Sequence, residues 1–406
     1  MTAPLDDFAL ADEFALATES TPLLPAIRAH IQAAGGRITF AEFMGLALGH
    51  PEHGYYSRPG LRWGREGDFE TSPEVHPIFG YLWARQVLEC WERLGRPAPF
   101  HLVEPGAGSG AFMASMLTWL RARAPECFAA VRAVTLDGHP NRLADQRDAL
   151  AARGLEGEHV LTEDWLARPE PVTGILISNE FFDALPAHLV ERHGGDLLEC
   201  YVTADGDALT LVTGEPSTPA LRATFDRLGL LPGEGARAEV SLVAPEVMRR
   251  LASRIARGYV LTIDYGYPAR ELYASWRTQG TLMAFRRHSP QPDPLAQPGL
   301  TDLTYHVDFT SLAAAAGEGW QAAPLTSQSE ALTVLGLAEA VQIASARSHE
   351  DVQRYAAERR AADTLVDPAG LGRIRVLAMA KDAPLEGLRC LQPLTVAFAG
   401  GRRVRE

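Results

Sequence analysis

The stretch Phe100-His101-Leu102-Val103-Glu104-Pro105-Gly106-Ala107-Gly108-Ser109-Gly110 restricts the fold of this chain more than any other. An apolar run ends in an acid, three glycines follow at alternate positions, and an amphipathic pattern begins at Ala111. This reads as a buried strand, a tight turn and a helix N-terminus. Glycines at such a turn adopt dihedrals that a Cβ forbids and let the backbone approach a ligand closely. The free N–H groups and positive dipole end of the following helix suit a nucleotide or a carboxylate. The expectation is a nucleotide-type cofactor site on an α/β fold.

The chain beyond it agrees. Apolar, β-branched runs at His101–Glu104, Ala133–Asp137, His159–Thr162, Gly174–Ser178 and Tyr259–Asp264 alternate with helical patterns, as in a doubly wound sheet covered on both faces. Two insertions interrupt it. Residues 188–243 hold a hairpin, Leu197–Thr203 and Ala208–Val212, turning at Asp205-Gly206. Residues 267–310 hold the proline-rich loop 289–294. Ile374–Ala380 and Leu394–Ala399 are further runs that would close the sheet. Residues 1–98 read as an N-terminal helical cap, with helices over Leu23–Ile31, from Thr39 (N-cap, with Glu42 three residues on) and over Phe79–Leu94. Residues 99–406 then form the main domain.

A chain of 406 residues with 46% hydrophobic content can bury a large core. Its net charge of −13 speaks against a nucleic-acid partner, because phosphate contact needs basic surface. No apolar run reaches the roughly 20 residues of a membrane span. Cys90, Cys127, Cys200 and Cys390 are scattered without a CxxC pair, and no His/Cys cluster has metal-ligand spacing, so no metal is expected. Acids precede Arg28, the first arginine, where a secretory or transit segment would be basic. Lys381 is the only lysine, a compositional habit of GC-rich bacteria. Together these predict a cytoplasmic bacterial protein. Neither a G-x-S-x-G elbow nor a P-loop is present.

In an open α/β sheet, ligands sit at the carboxyl ends of the strands. The five predicted strands end at Glu104, Asp137, Glu163-Asp164, Asn179-Glu180 and Asp264. Asp137 is placed to accept hydrogen bonds from ribose hydroxyls, and Asp164 to take an adenine amino group. Gly106, Gly108 and Ala111 also fit the dinucleotide pattern, but Asp137 lies about 30 residues beyond Gly106, where that fingerprint expects about 20. Glu104 ahead of Gly106, Gly108 and Gly110 suits S-adenosylmethionine better, since its carboxylate can meet the methionine ammonium. S-adenosylmethionine is therefore favoured over NAD.

Further motifs occur in a fixed order: His53-Gly54-Tyr55-Tyr56, Gly67-Asp68-Phe69, Glu104-Pro105-Gly106-Ala107-Gly108, and Ser178-Asn179-Glu180-Phe181-Phe182-Asp183-Ala184-Leu185-Pro186. Asp264-Tyr265-Gly266, Gly280-Thr281-Leu282 and the run Asp302–Phe309 follow. This set resembles the MidA-like family of S-adenosylmethionine-dependent methyltransferases, whose mitochondrial members are protein-arginine methyltransferases that assist assembly of respiratory complex I. The resemblance covers about residues 37–310. It implies a class I methyltransferase fold, a seven-stranded Rossmann-like sheet with an N-terminal helical cap and insertions. It also implies S-adenosylmethionine as cofactor and a protein acceptor. The chain departs from the family at Met283, often arginine there, at Asp137, more often Glu before a Ser-Pro turn, and at Glu70, usually apolar.

Methyl transfer to a guanidinium needs carboxylates that hold it and accept a proton. Glu180 and Asp183 are placed to clamp an arginine. Asn179 would orient the acceptor or the methionine end of the cofactor, although Asn179 and Asp183 could equally cap the turn before Pro186. His306, with Asp308 two residues on and His288 nearby, is a candidate proton acceptor. Gly67–Ser72 is either a lid bringing Asp68, Thr71 and Ser72 to the cofactor or a helix start capped by Ser72. Tyr55-Tyr56 could line the acceptor channel. A non-catalytic assembly factor and a small-molecule methyltransferase are the alternatives.

Overall fold

The computed structural model describes residues 21–58, 71–206, 208–287, 289–346 and 352–394. Its central sheet has eight strands. The main path contains β1 (Phe100–Pro105), β2 (Val131–Asp137), β3 (Glu158–Leu161), β4 (Val172–Asn179), β5 (Ile255–Asp264), β6 (Trp320–Ala322) and β7 (Arg375–Lys381). Their spatial order is β3-β2-β1-β4-β5-β7-β6, and the short segment Thr326–Ser327 also pairs with β7. Strands β1 to β5 are mutually parallel, while β7 runs antiparallel to both β5 and β6. Every strand expected from the apolar runs up to Asp264 is present, each within a few residues of its expected bounds. Leu394–Ala399 falls almost wholly outside the described residues, and the outer strand is β6 instead.

Successive side chains on a strand face opposite ways, and the core follows that period. Phe100, Leu102, Ile175, Ile177, Tyr259, Leu261 and Ile263 pack on one face under the helices Ile78–Arg93 and Ala111–Arg123. Val103, Leu176 and Val260 point to the other, against Val243–Ser253 and Phe309–Ala315. Ile78–Arg93, which the sequence groups with the cap, thus covers the central sheet; its Phe79 ring lies 5.0 Å from that of Phe112.

The rest of the cap joins the insertions. Leu24–Ala33 and Phe40–Gly49 are helices, and Thr39 and Glu42 form the expected reciprocal capping pair. Between the helices, Arg37–Thr39 forms a strand too short to show a period. It pairs antiparallel with Thr203, Val202 and Tyr201 of the first insertion. The second sheet comprises it, His188–His193, Asp196–Asp205, Ala208–Gly214 and Arg237–Val240, with the hairpin turning at Asp205-Gly206. One apolar cluster joins Ile27, Phe43 and Met44 of the cap to Leu189 and Val202 of the first insertion and Leu303 and Tyr305 of the second. Cap and insertions thus form a single roof above the carboxyl ends of β1, β4 and β5. Among the described residues no helix is long and apolar enough to cross a membrane.

The sheet is tight where β1 meets β4, since a Cβ on Gly174 would lie 2.0 Å from the carbonyl oxygen of His101. Gly174→Ala is expected to lower stability by about 2 kcal/mol, the usual scale for overpacking, read as a drop in thermal midpoint.

Candidate active site

The sheet order reverses at β1, and a cavity of about 740 Å³ opens there between the strand ends and the roof. Its floor is the glycine turn. Gly106, Gly108 and Gly110 have φ of +66°, +51° and +80°, the region the sequence assigned to them. The Gly106 and Ala107 amides donate to the Leu136 carbonyl, which stitches the turn to β2. A Cβ on Gly106 would also strike the Phe181 ring at 2.4 Å. Gly106 and Gly108 line the cavity; Gly110 lies behind, closed off by Gln146, and serves the helix start.

Glu104 is buried at the end of β1 and lines the cavity. Burial pushes its carboxyl well above the usual range, against the Met113 amide of the next helix, and Asp137 and Glu74 raise it further. Its Oε2 and the Oδ1 of Asn179 are buried with no hydrogen-bond partner among the described residues. Two such acceptors facing one cavity fit an ammonium group. Asp137 ends β2 and accepts from the His139 amide at 3.1 Å and the Gln146 amide group at 3.2 Å. Burial raises it to about 6. These residues fit the methionine and ribose portions of S-adenosylmethionine.

The lid candidates divide. Asp68 lies outside the described residues, as do Glu70 and His288. Thr71 lines the cavity and is itself the N-cap residue of Ser72–Val75. Ser72 does not cap; its buried hydroxyl donates to Gln328 and its amide donates to Glu180 at 3.3 Å. Asp164 corrects another expectation. Strand β3 stops at Leu161, so Asp164 falls on the exposed first turn of Thr162–Leu166, and Thr162 faces the cavity instead.

A set of carboxylates also lines the cavity. Glu180 lines the cavity with φ +49°, a left-handed conformation that costs a side-chain-bearing residue energy. Its Oε1 accepts from the Asn179 amide group at 2.8 Å. Burial raises its carboxyl to about 7. Asp183 is raised well above the usual range by burial and by Asp264, Glu180 and Asp302. Asp302, buried and lining the cavity, accepts from the Tyr56 hydroxyl at 2.9 Å. Sequence reasoning missed its role, although it opens the motif that ends at Phe309. Asp264 stays beneath the cavity and grips the amides of Phe181, Phe182 and Tyr265 at 3.1, 2.9 and 2.9 Å.

His306 lines the cavity, stacked on Tyr265 at 6.0 Å. Burial, then Arg373 and Arg277, lower it to about 4, which makes it a weak proton acceptor. Asp308 does not partner it; Asp308 caps Phe309–Ala315, accepting from the Thr310 and Ser311 amides. Among the described residues no group of three or more His, Cys, Asp or Glu side chains could hold a metal.

A Rossmann-like sheet in this order, with an acid-ended glycine turn at β1 and a buried acid at the end of β2, defines a class I methyltransferase. A family model described as "Putative S-adenosyl-L-methionine-dependent methyltransferase" matches residues 82–326, and the chain belongs to that family. Similar curated proteins include the mitochondrial protein arginine methyltransferase NDUFAF7 homolog of Drosophila melanogaster, 32% identical over 70% of this chain and 67% of that protein. The mitochondrial protein arginine methyltransferase NDUFAF7 of Danio rerio is 28% identical over 91% of this chain and 89% of its own. A crystal structure of a COG1565 superfamily member from Burkholderia thailandensis, bound to S-adenosyl-homocysteine, superposes with a TM-score of 0.79. It is 30% identical and covers 89% of this chain and 92% of that one. The chain is an S-adenosylmethionine-dependent methyltransferase.

Two outcomes follow from the acids. For a cofactor ribose held by an ionised Asp137, calorimetric affinity for S-adenosylhomocysteine is expected to fall by up to about tenfold per unit as pH drops below 6, and Asp137→Asn to lose that dependence. Glu180 titrates near 7 in the folded chain against 4.5 unfolded, so the folded state holds the extra proton between those values. Stability is then lost as pH rises toward and through 7. Thermal midpoints of the ligand-free protein are expected to fall from pH 5 to 7 and to level off above it through this group, and Glu180→Gln to flatten that slope.

Proposed function

We propose that this methyltransferase acts on a guanidino nitrogen of a protein arginine. The observation that carries the reading is the convergence of three carboxylates that line the cavity and act on one another, Asp183 and Asp302 buried and Glu180 half-buried. Like charges at close quarters hold each other protonated until a cation enters. A guanidinium satisfies this best, because its planar fork of donors matches carboxylates two at a time. The arginine-methyltransferase names of the Drosophila and zebrafish relatives support the same acceptor.

The cofactor, when bound, supplies an electrophilic methyl group on a sulfonium. Glu104 and Asn179 hold its ammonium end and Asp137 its ribose. Glu180 and Asp183 orient the guanidinium and localise its charge, so that one nitrogen lone pair faces the methyl. Glu180, with a carboxyl near 7, takes the proton that the nitrogen releases. Asn179 aims Glu180 through their hydrogen bond. Asp264 is a positioning residue, since it touches only backbone amides.

Incubation with methyl-labelled S-adenosylmethionine and a protein extract, followed by amino-acid analysis, is expected to yield labelled methylarginine. Label on another residue type, or on small molecules alone, overturns the arginine reading. Glu180→Gln is expected to lower turnover by about 100-fold or more while S-adenosylhomocysteine still binds.

A further inference from the structure

The acidic set stands beside cationic side chains that the chain itself leaves unused. Arg277, from the second insertion, and Arg373, just before β7, both line the cavity. Neither makes an ion pair or side-chain hydrogen bond among the described residues, and the Nε of Arg277 is buried without a partner. By contrast, the surface arginines Arg250 and Arg249 hold Glu163 at 2.6 Å and Glu246 at 2.5 Å. The two free guanidinium groups are instead braced on aromatic faces. Arg277 lies 4.9 Å from the Tyr267 ring and 4.7 Å from that of Trp276, and Arg373 lies 5.8 Å from that of Tyr265. Such contacts fix a guanidinium plane and leave its N–H edge free to donate. His306 stacks between Tyr265 and Tyr267 and completes the wall.

The same mouth carries exposed apolar surface. Trp276 is 70% exposed, the largest value among the exposed apolar residues, and Met283 at the cavity is 41% exposed. Arginine with a large aromatic side chain is the composition of a polypeptide-binding rim. In a chain of net charge −13, two arginines without an acidic partner among the described residues stand ready at this opening for an incoming anion.

The cofactor's own carboxylate is the competing anion, and the sheet order argues against it. Adenosine belongs at β1 and β2, whereas Arg373 adjoins β7, three strands from β1. At about 4.8 Å per strand that is roughly 14 Å across the sheet, on the far side of Glu180. Tyr265, just past β5, lies within electrostatic reach of Glu180 and Asp183 while Arg373 sits 5.8 Å from its ring, so the arginine borders the carboxylates.

We propose that Arg277 and Arg373 form an anion subsite for an aspartate or glutamate of the acceptor polypeptide adjacent to the arginine that is methylated. The inference rests on the arginine reading above and narrows it to an acceptor with paired charges, the cation inside and the carboxylate at the mouth.

The test uses synthetic peptides of one length carrying a single arginine flanked by Asp or Glu, by Asn or Gln, or by Lys, together with peptides in which Lys replaces the central arginine. Methylation is followed by mass spectrometry, and S-adenosylhomocysteine affinity by calorimetry. Exposed ion pairs are each worth up to about fivefold, so the acid-flanked arginine is expected to lead the neutral-flanked one roughly tenfold in kcat/KM. The Arg277→Gln/Arg373→Gln protein is expected to lose that preference, and Arg373→Glu to favour the Lys-flanked peptide. Equal use of acidic and neutral flanks by the unaltered protein overturns the subsite and leaves the arginine reading intact. So does a preference that survives the double substitution. A tenfold loss of S-adenosylhomocysteine affinity in the double variant assigns the arginines to the cofactor and also overturns it. Methylation of the central lysine but of no arginine overturns both.

Discussion

Three backbone amides converge on the carboxylate of Asp264, and the acceptor half of the site hangs from that contact. The amides belong to Phe181, Phe182 and Tyr265, which leave the ends of two adjacent parallel strands. One buried acid therefore ties the exit of β4 to the exit of β5. Between them Glu180 is held in a left-handed conformation, with its amide donating to the Ile263 carbonyl at 2.8 Å. Without that anchor the residue would relax toward an ordinary extended dihedral and its carboxylate would leave the cavity. The strain at Glu180 is the kind that surrounding structure must over-determine.

The same arrangement explains why the carboxylates are tolerated. Burying a charge without a partner is costly, and burial accordingly raises the carboxyls of Glu180, Asp183 and Asp264 above their usual range. Asp264 offsets its burial with three amides, Asp302 with the Tyr56 hydroxyl, and Glu180 with Asn179 and the Ser72 amide. Glu104 and Asn179 keep one acceptor atom each unused. Both of these atoms belong to residues that line the cavity, where an incoming donor can satisfy them.

How much of this could be read from residues depends on the range of the interaction. The glycine turn, the acids at the strand ends and the Thr39–Glu42 cap are local, so their spacing exposes them. Asp164 was misplaced because the end of a four-residue strand cannot be located by periodicity, and a shift of one residue moved Thr162 into the site. His306 and Asp308 share a short sequence span but not a function, since Asp308 is committed to its own helix. Asp302, Arg277 and Arg373 reach the cavity only through long-range packing. Nothing in their neighbours' sequence announces it, although Asp302 begins a recognisable motif. The strand Arg37–Thr39 is likewise invisible alone, because its partner lies more than 160 residues away.

The position of β7 bears on how such a chain comes into being. This strand follows β5 by more than 100 residues, yet it lies inside the sheet, between β5 and β6, and among the described residues β6 pairs only with it. A ribosome that has delivered β1 to β5 has delivered the glycine turn and every cavity carboxylate but Asp302, while β5 still presents an open edge and Arg373 has not emerged. Closure of that edge and completion of the cavity wall wait for β7. Long-range strand pairings are slow to form, and unpaired edges are prone to association while they wait. The order of the strands thus makes the working site depend on a segment made long after its floor, and the exposed β5 edge is the part of the nascent chain that most needs shelter.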